Sequence, residues 1–286
     1  MVGLAIANRS ELPVALVTGA AGGMGSALSR LLGQTHFLVL SDANPDRLSQ
    51  AGQLLEDEGY QLSCIAGDLA DPSLAQALAE TCSENGALRS VVNAAGLSPA
   101  QASWRDLIRA NTQGAVCLLD AIEPLVSRRT ACVLIASVAG HLAPSDPVLT
   151  DLMDRPLVPE LYAAIEPRLQ AIVSAQGGTM EGHAYSFSKQ AVIRLCEKRA
   201  IPWGIRKARI VSLSPGVVWT AMGRREAQTG KRAQAMAEMT PAGRWGTAMD
   251  VARVAEFVLS DAASYVTGCD IRVDGGAVAA MRGKAF

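Results

Sequence analysis

Tyr185 and Lys189 lie four residues apart in the run Tyr185-Ser186-Phe187-Ser188-Lys189, a spacing that puts both on one face of a helix. A phenol beside an ammonium group can give a proton to a carbonyl or take one from an alcohol. A free tyrosine titrates near 10, too high for a base at neutral pH. A lysine about 5 Å away, at an effective dielectric of about 20, stabilises the phenolate by roughly 3 kcal/mol, or about two pK units. That moves the phenol toward the range where general acid–base catalysis works best. A second feature is the turn Thr18-Gly19-Ala20-Ala21-Gly22-Gly23-Met24-Gly25. Its glycines let the backbone approach a pyrophosphate, whose charge the free amides of a following helix stabilise. Either feature alone is weak, because any surface helix can carry the first and tight helix–strand packing can use the second. Together, in this order, they predict hydride exchange between a dinucleotide and an alcohol or carbonyl.

The elements that must position these groups can be read from periodicity. Apolar runs at 14–17, 37–40, 61–66, 90–92, 131–136, 209–213 and 270–273 are separated by helical patterns. Alternation of this kind predicts an α/β fold, a doubly wound (Rossmann-type) parallel sheet of about seven strands with helices on both faces. The runs are nearly continuous in Val, Ile, Leu and Ala, as strands buried on both sides must be. Ligands of such sheets bind at the carboxyl edge, where strand order reverses. Two helix starts are chemically marked: Asp71-Pro72, and Thr247 with Asp250 in capping-box spacing. With no linker, charge block or repeat, all 286 residues read as a single domain.

The chain resembles the short-chain dehydrogenase/reductase family from about Val14 to Gly276. The matches run in order: Thr18 to Gly25, Asp42, Asp68-Leu69, Asn93-Ala94-Ala95-Gly96, Asn111 in a long helix, Ser137, Tyr185 with Lys189, Pro215-Gly216, and 265–276. The resemblance implies Tyr185 as acid–base, Lys189 as its electrostatic partner and a ligand of the nicotinamide ribose, and Ser137 as the group polarising the substrate oxygen. It also implies Asn111 as the holder of a water leading from Lys189 to solvent. It assigns cofactor contacts to Gly19, Gly23, Met24, Gly25, Asp42, Asp68, Leu69, Asn93, Ala94, Gly96, Pro215, Gly216, Val218 and Thr220. Asp42 stands near the acidic position, about 20 residues past the glycines, that bonds a ribose 2′-hydroxyl and repels a 2′-phosphate. NAD is therefore the expected cofactor. Arg47 is the nearby cation, and lies too far along the next helix to be a first choice.

Departures from the family are informative. The interval between Ser137 and Tyr185 is enlarged by a helical insertion, placed at 141–181. Asp146-Pro147 predicts a helix through Met153, and Pro159-Glu160 a second through Ala175 that Pro167 should kink or split. Its Leu/Ile stripe predicts packing on the body, with a substrate lid or an interface element as further roles. Val211 replaces the family's usual Asn, which predicts a local change in hydrogen bonding. The segment 217–243 covers substrate in the family, and here carries Trp219, Met222, Met236 and Met239. These predict a small apolar alcohol or ketone. Arg224, Arg225, Lys231 and Arg232 on the same segment fit a solvated face. The insertion, with Glu197-Lys198-Arg199-Ala200 and Trp203-Gly204, is similar to bacterial 3α-hydroxysteroid dehydrogenase/carbonyl reductases. The family also implies a homodimer or homotetramer.

Composition narrows the alternatives. Lys and Arg number 26 against 27 Asp and Glu, so nothing favours nucleic acid or an anionic membrane. No apolar stretch approaches the roughly 20 residues of a membrane span, and the first dozen residues lack a signal-peptide core. Cys64, Cys82, Cys117, Cys132, Cys196 and Cys269 are scattered, which suits a reducing cytoplasm. His36, His141 and His183 are too dispersed for a metal site; His36 reads as structural, and His183 as near the catalytic pair. A non-catalytic dinucleotide-binding regulator would be a rival reading, but Ser137, Tyr185 and Lys189 are all present.

Overall fold

The computed structural model describes residues 12–229 and 238–283. Lys231, Arg232 and Met236 of the covering segment, and residues 1–11, lie outside the described residues.

Seven parallel strands form one sheet: β1 (Val14–Thr18), β2 (Phe37–Asp42), β3 (Leu62–Ala66), β4 (Leu88–Asn93), β5 (Ala131–Ile135), β6 (Arg209–Pro215) and β7 (Asp270–Val273). Their order is β3-β2-β1-β4-β5-β6-β7, so the order reverses between β1 and β4. Because side chains alternate along a strand, Val14, Leu16, Phe37 and Val39 face one core while Ala15, Val17, Leu38 and Leu40 face another. The first core is closed by α3 (Pro72–Asn85), α5 (Gly114–Ile122) and α8 (Met180–Ile205). The second is closed by α1 (Gly23–Leu32), α2 (Pro45–Asp57) and α10 (Ala248–Leu259). The remaining described α-helices are α4 (Trp104–Ile108), α6 (Pro147–Met153), α7 (Leu161–Gln176), α9 (Ala221–Thr229) and α11 (Ala277–Gly283).

The marked helix starts behave as their chemistry requires. Asp71 accepts from Ser73 N ahead of Pro72, and Thr247 and Asp250 form a reciprocal capping box. Asp146 caps α6 by accepting from Leu149 N. Pro167 does not split α7, which runs unbroken around it. One missing backbone donor is outweighed by the burial of Leu161, Ile165, Leu169 and Ile172.

Those four residues, with Leu149 and Met153, form a third core against Trp104 and Ile108 of α4 and Ala184, Phe187 and Ala191 of α8. The apolar stripe of the insertion is thereby spent on the outer face of α8, away from the sheet. Its helices are α6 and α7. His141 belongs to a 3₁₀ turn following β5 (Val138–Leu142), and Thr179 already caps α8.

All six cysteines are free. Burial pushes the thiols of Cys82 and Cys196 up to about 12, so both act as small apolar groups. His36 bridges the Leu32 carbonyl and Ser90 Oγ, a structural position. Val211 is fully buried in the second core, and Ser212 and Ser214, on the opposite face of β6, bond to Asp270. No helix among the described residues is long and apolar enough to cross a membrane.

Candidate active site

The predicted groups converge at the carboxyl edge of the sheet. Ser137 follows β5 in extended conformation (φ −168°, ψ 152°) and caps the 138–142 turn, its Oγ accepting from Ala139 N at 3.2 Å. The turn lies directly on α8: a Cβ on Gly140 would come within 2.8 Å of the Lys189 carbonyl carbon and Gln190 N. Lys189 is 6% exposed, and its Nζ donates to the Ile135 carbonyl at 2.9 Å. The same ammonium lies 5.9 Å from the centre of the Tyr185 ring. The buried cation thus joins the helix bearing the phenol to the strand end that leads into Ser137.

Asn111 reaches this cluster from the other side. Residues 104–122 are helical throughout, but Arg109–Gln113 form a π turn, a device common at functional positions. Asn111 Oδ1 accepts from Leu97 N at 2.8 Å, and Nδ2 donates to the Leu97 carbonyl at 3.2 Å and to Ser188 Oγ at 3.1 Å. Ser188 then donates to the Tyr185 carbonyl at 2.8 Å. The asparagine side chain thus ties the segment after β4 to the helix bearing Tyr185 and Lys189. Sequence reasoning passed over Ser188; its signal was a hydroxyl directly beside the lysine on a face that must be buried.

A cleft of about 800 Å³ opens at the carboxyl ends of β1 and β4, where the strand order reverses. Gly19, Gly23, Met24, Gly25, Asp42, Asp68, Leu69, Ala94, Gly96 and Thr220 line it. The Gly-rich turn needs its glycines: Gly19 has φ +65°, and a Cβ on Gly25 would overlap the Gly19 carbonyl. The turn leaves the first amides of α1 facing the cleft, a fit for a pyrophosphate. Asp42 accepts from Ala21 N and Asn44 N, both at 3.1 Å. Asp68 accepts from Ala70 N at 2.9 Å and pairs with Arg109 Nε at 2.7 Å. That bond raises the Arg109 pKa further.

Four of the expected residues are not among those lining the cleft. Asn93 is buried and accepts from Thr18 Oγ1 at 2.7 Å, locking the ends of β1 and β4 together. Pro215, Gly216 and Val218 do not line the cleft; they belong to the end of β6 and the strand-like bridge from Val218 to Gly246. Tyr185 and Lys189 sit beyond its inner end, where a Cβ on Gly96 would come 3.4 Å from Lys189 Nζ. Arg47, distant along the chain, lines the cleft all the same, with Nη2 donating to the Ala21 carbonyl at 2.8 Å. The first turn of α2, capped by Asn44, folds back over the glycines and closes the apparent distance. His183 donates to the Gly177 carbonyl at 2.8 Å, securing the end of the insertion. Trp219 stacks edge-on with Trp245 at 5.1 Å, a partner sequence reasoning did not identify.

Comparison with known proteins agrees with this geometry. The short chain dehydrogenase family model matches residues 13–146, and a second model, described as Enoyl-(Acyl carrier protein) reductase, matches 169–278. A 3-alpha-hydroxysteroid dehydrogenase/carbonyl reductase of Comamonas testosteroni is 33% identical over 82% of this chain and 93% of its own. The chain belongs to the short-chain dehydrogenase/reductase family. A D-threitol dehydrogenase of Mycolicibacterium smegmatis is 30% identical, over 94% of each chain. A solved short-chain dehydrogenase/reductase from Mycobacterium ulcerans superposes with a TM-score of 0.72 at 25% identity, over 93% of this chain and 90% of its own. Residues 147–168, within the insertion, fall between the two matched regions of this chain. As a member of that family, the protein is an oxidoreductase acting on alcohols and carbonyls.

Proposed function

We propose that this oxidoreductase uses NAD to interconvert a secondary alcohol and a ketone on a small apolar substrate. The observation that carries the proposal is the buried Lys189 ammonium beside the Tyr185 ring, bonded to the Ile135 carbonyl two residues before Ser137. A cation there favours the phenolate, so Tyr185 takes the alcohol proton in one direction and returns it in the other. Ser137 orients and polarises the substrate oxygen. NAD, when bound, supplies or accepts the hydride. The exposed amides of α1 and the Gly-rich turn would hold its pyrophosphate, and the Asp42 carboxylate its ribose hydroxyls. The spacing of Tyr185 and Lys189 favours this chemistry over enoyl reduction.

Support for an apolar substrate comes from Met222 at the cleft and the Trp219–Trp245 pair, Trp219 directly preceding the cleft-lining Thr220. The relatives include both a hydroxysteroid enzyme and a polyol enzyme, so the preference rests on these side chains. The residues that suggested the hydroxysteroid sub-family are partly structural: Trp203 is fully buried and donates to Glu123. A cytoplasmic homo-oligomer fits the free thiols and the family. Because the insertion covers the outer face of α8, assembly through that face would differ from the family's usual helix pairing.

The test is nicotinamide absorbance with purified protein, NAD or NADP, and a panel of steroid, monoterpene and polyol alcohols. Turnover of the apolar alcohols with NAD is expected. Tight NAD binding without turnover of any alcohol or ketone would replace this proposal by a non-catalytic dinucleotide-binding role. Sedimentation of the same sample reads the assembly.

A further inference from the structure

A buried polar cluster at the edge of the sheet is not used by the mechanism above. Asp270 opens β7 with its side chain 6% exposed. Its Oδ1 accepts from Ser212 Oγ at 2.6 Å and Ser214 Oγ at 3.0 Å, and its Oδ2 accepts from His141 Nε2 at 2.7 Å. Ser212 and Ser214 are fully buried on one face of β6. Burying a carboxylate in an otherwise apolar strand layer is costly unless its lone pairs are filled. Three donors fill them here, and one comes from the turn that carries Ser137.

That turn rests on α8, but its internal bonding is weak. It is five residues of 3₁₀ helix, whose hydrogen-bond geometry is poor and whose runs are short for that reason. Ser137 caps it at one end, and Gly140 presses on the α8 backbone without a side chain. His141, four residues after Ser137, reaches across to β7 and ties the turn to the sheet.

We infer that His141 and Asp270 are positioning residues for Ser137, a strut from the edge strand that holds the seryl hydroxyl in register with Tyr185. The inference rests on Ser137 acting in turnover as proposed above. The imidazole needs only to donate, so an uncharged donor of similar reach should replace it.

A double-mutant cycle separates this role from general stabilisation. His141→Leu should lower kcat about tenfold, because a displaced catalytic group loses rate steeply, while NAD affinity measured by fluorescence titration stays within about twofold. His141→Gln, which keeps a donor, should recover most of the rate. In a Ser137→Ala background, His141→Leu should change kcat less than about twofold, since the group it positions is gone. An equal loss in both backgrounds, or no loss in the first, overturns the inference. If His141→Leu does not fold, the cycle is run with Asp270→Asn against Ser137→Ala and read in the same way. If Ser137→Ala itself leaves kcat unchanged, it is the catalytic assignment of Ser137 that fails.

Discussion

Asn111 donates from Nδ2 to the Oγ of Ser188, 3.1 Å away, and so couples the π turn to the helix that carries both Tyr185 and Lys189. Neither residue is exposed: Asn111 is 2% and Ser188 0% accessible. Replacing Ser188 by Ala leaves one buried amide hydrogen without this partner, at a cost of about 1–3 kcal/mol. The Tyr185 backbone also loses a bond. Ser188→Ala should therefore lower both Tm and kcat, with NAD affinity little changed. Thermal unfolding and steady-state kinetics check this, and a wild-type kcat would deny the coupling any catalytic consequence.

Tyr185→Phe should abolish turnover and leave NAD binding nearly intact. The hydroxyl is the proton carrier, whereas the cleft lies beyond the ring and is lined by other residues. Retention of more than about a tenth of wild-type kcat would exceed what loss of a general acid–base allows and exclude Tyr185 from that role.

Cofactor preference should respond to two residues in opposite directions. Asp42→Ala removes a ribose acceptor and the repulsion of a 2′-phosphate, so the NAD/NADP ratio of kcat/KM should fall. Arg47→Ala should weaken whatever hold the enzyme has on NADP, because its guanidinium stands beside the Ala21 carbonyl at the same end of the cleft. Dissociation constants for both dinucleotides decide the matter, and an unchanged ratio in Asp42→Ala would remove that residue from the selection.

Gly96→Ala should be severely impaired. A Cβ there would come 2.8 Å from Asn111 Oδ1 and 3.4 Å from Lys189 Nζ, so either Asn111 or the 93–97 segment must shift. Overpacking of this kind costs about 1–3 kcal/mol, and kcat should fall by more than Tm alone explains. A variant with wild-type kinetics would show that the contact has room to relax.

The insertion should loosen in acid. Burial works to raise the Asp154 pKa, but hydrogen bonds from Arg194 and Lys198 outweigh it and hold the carboxyl below the usual range. A lowered folded pKa contributes stability that is present above the unfolded value near 4 and is lost as pH falls through the folded one. Asp154→Asn should lower stability at pH 7 by about 1–2 kcal/mol, since both cations remain partly in water. The difference in Tm between wild type and Asp154→Asn should shrink as the pH drops from 6 toward 3. A constant difference would mean the ion pairs are not what the substitution removes.

Much of this protein is written locally in its chain. Strand runs, the caps at Asp71, Asp146 and Thr247, and the Gly-rich turn each depend on a few adjacent residues, so their chemistry could be read without coordinates. The site at the carboxyl edge was legible for the same reason: each candidate residue follows a strand, and parallel strands share that edge. Other features depend on residues far apart in sequence. Arg47 came to the cleft because α2 folds back over the glycines. Asn93 is bonded by Thr18 because β1 and β4 are neighbours. Ser188 acquired Asn111, and Asp270 acquired His141, only through the order in which β4 to β7 assemble. The apolar stripe of the insertion announced that it must be buried, but α4 and α8 decided where. Backbone preference and hydrophobic period act over a turn or two of chain, whereas a contact between distant residues exists only once the sheet order has brought their elements together.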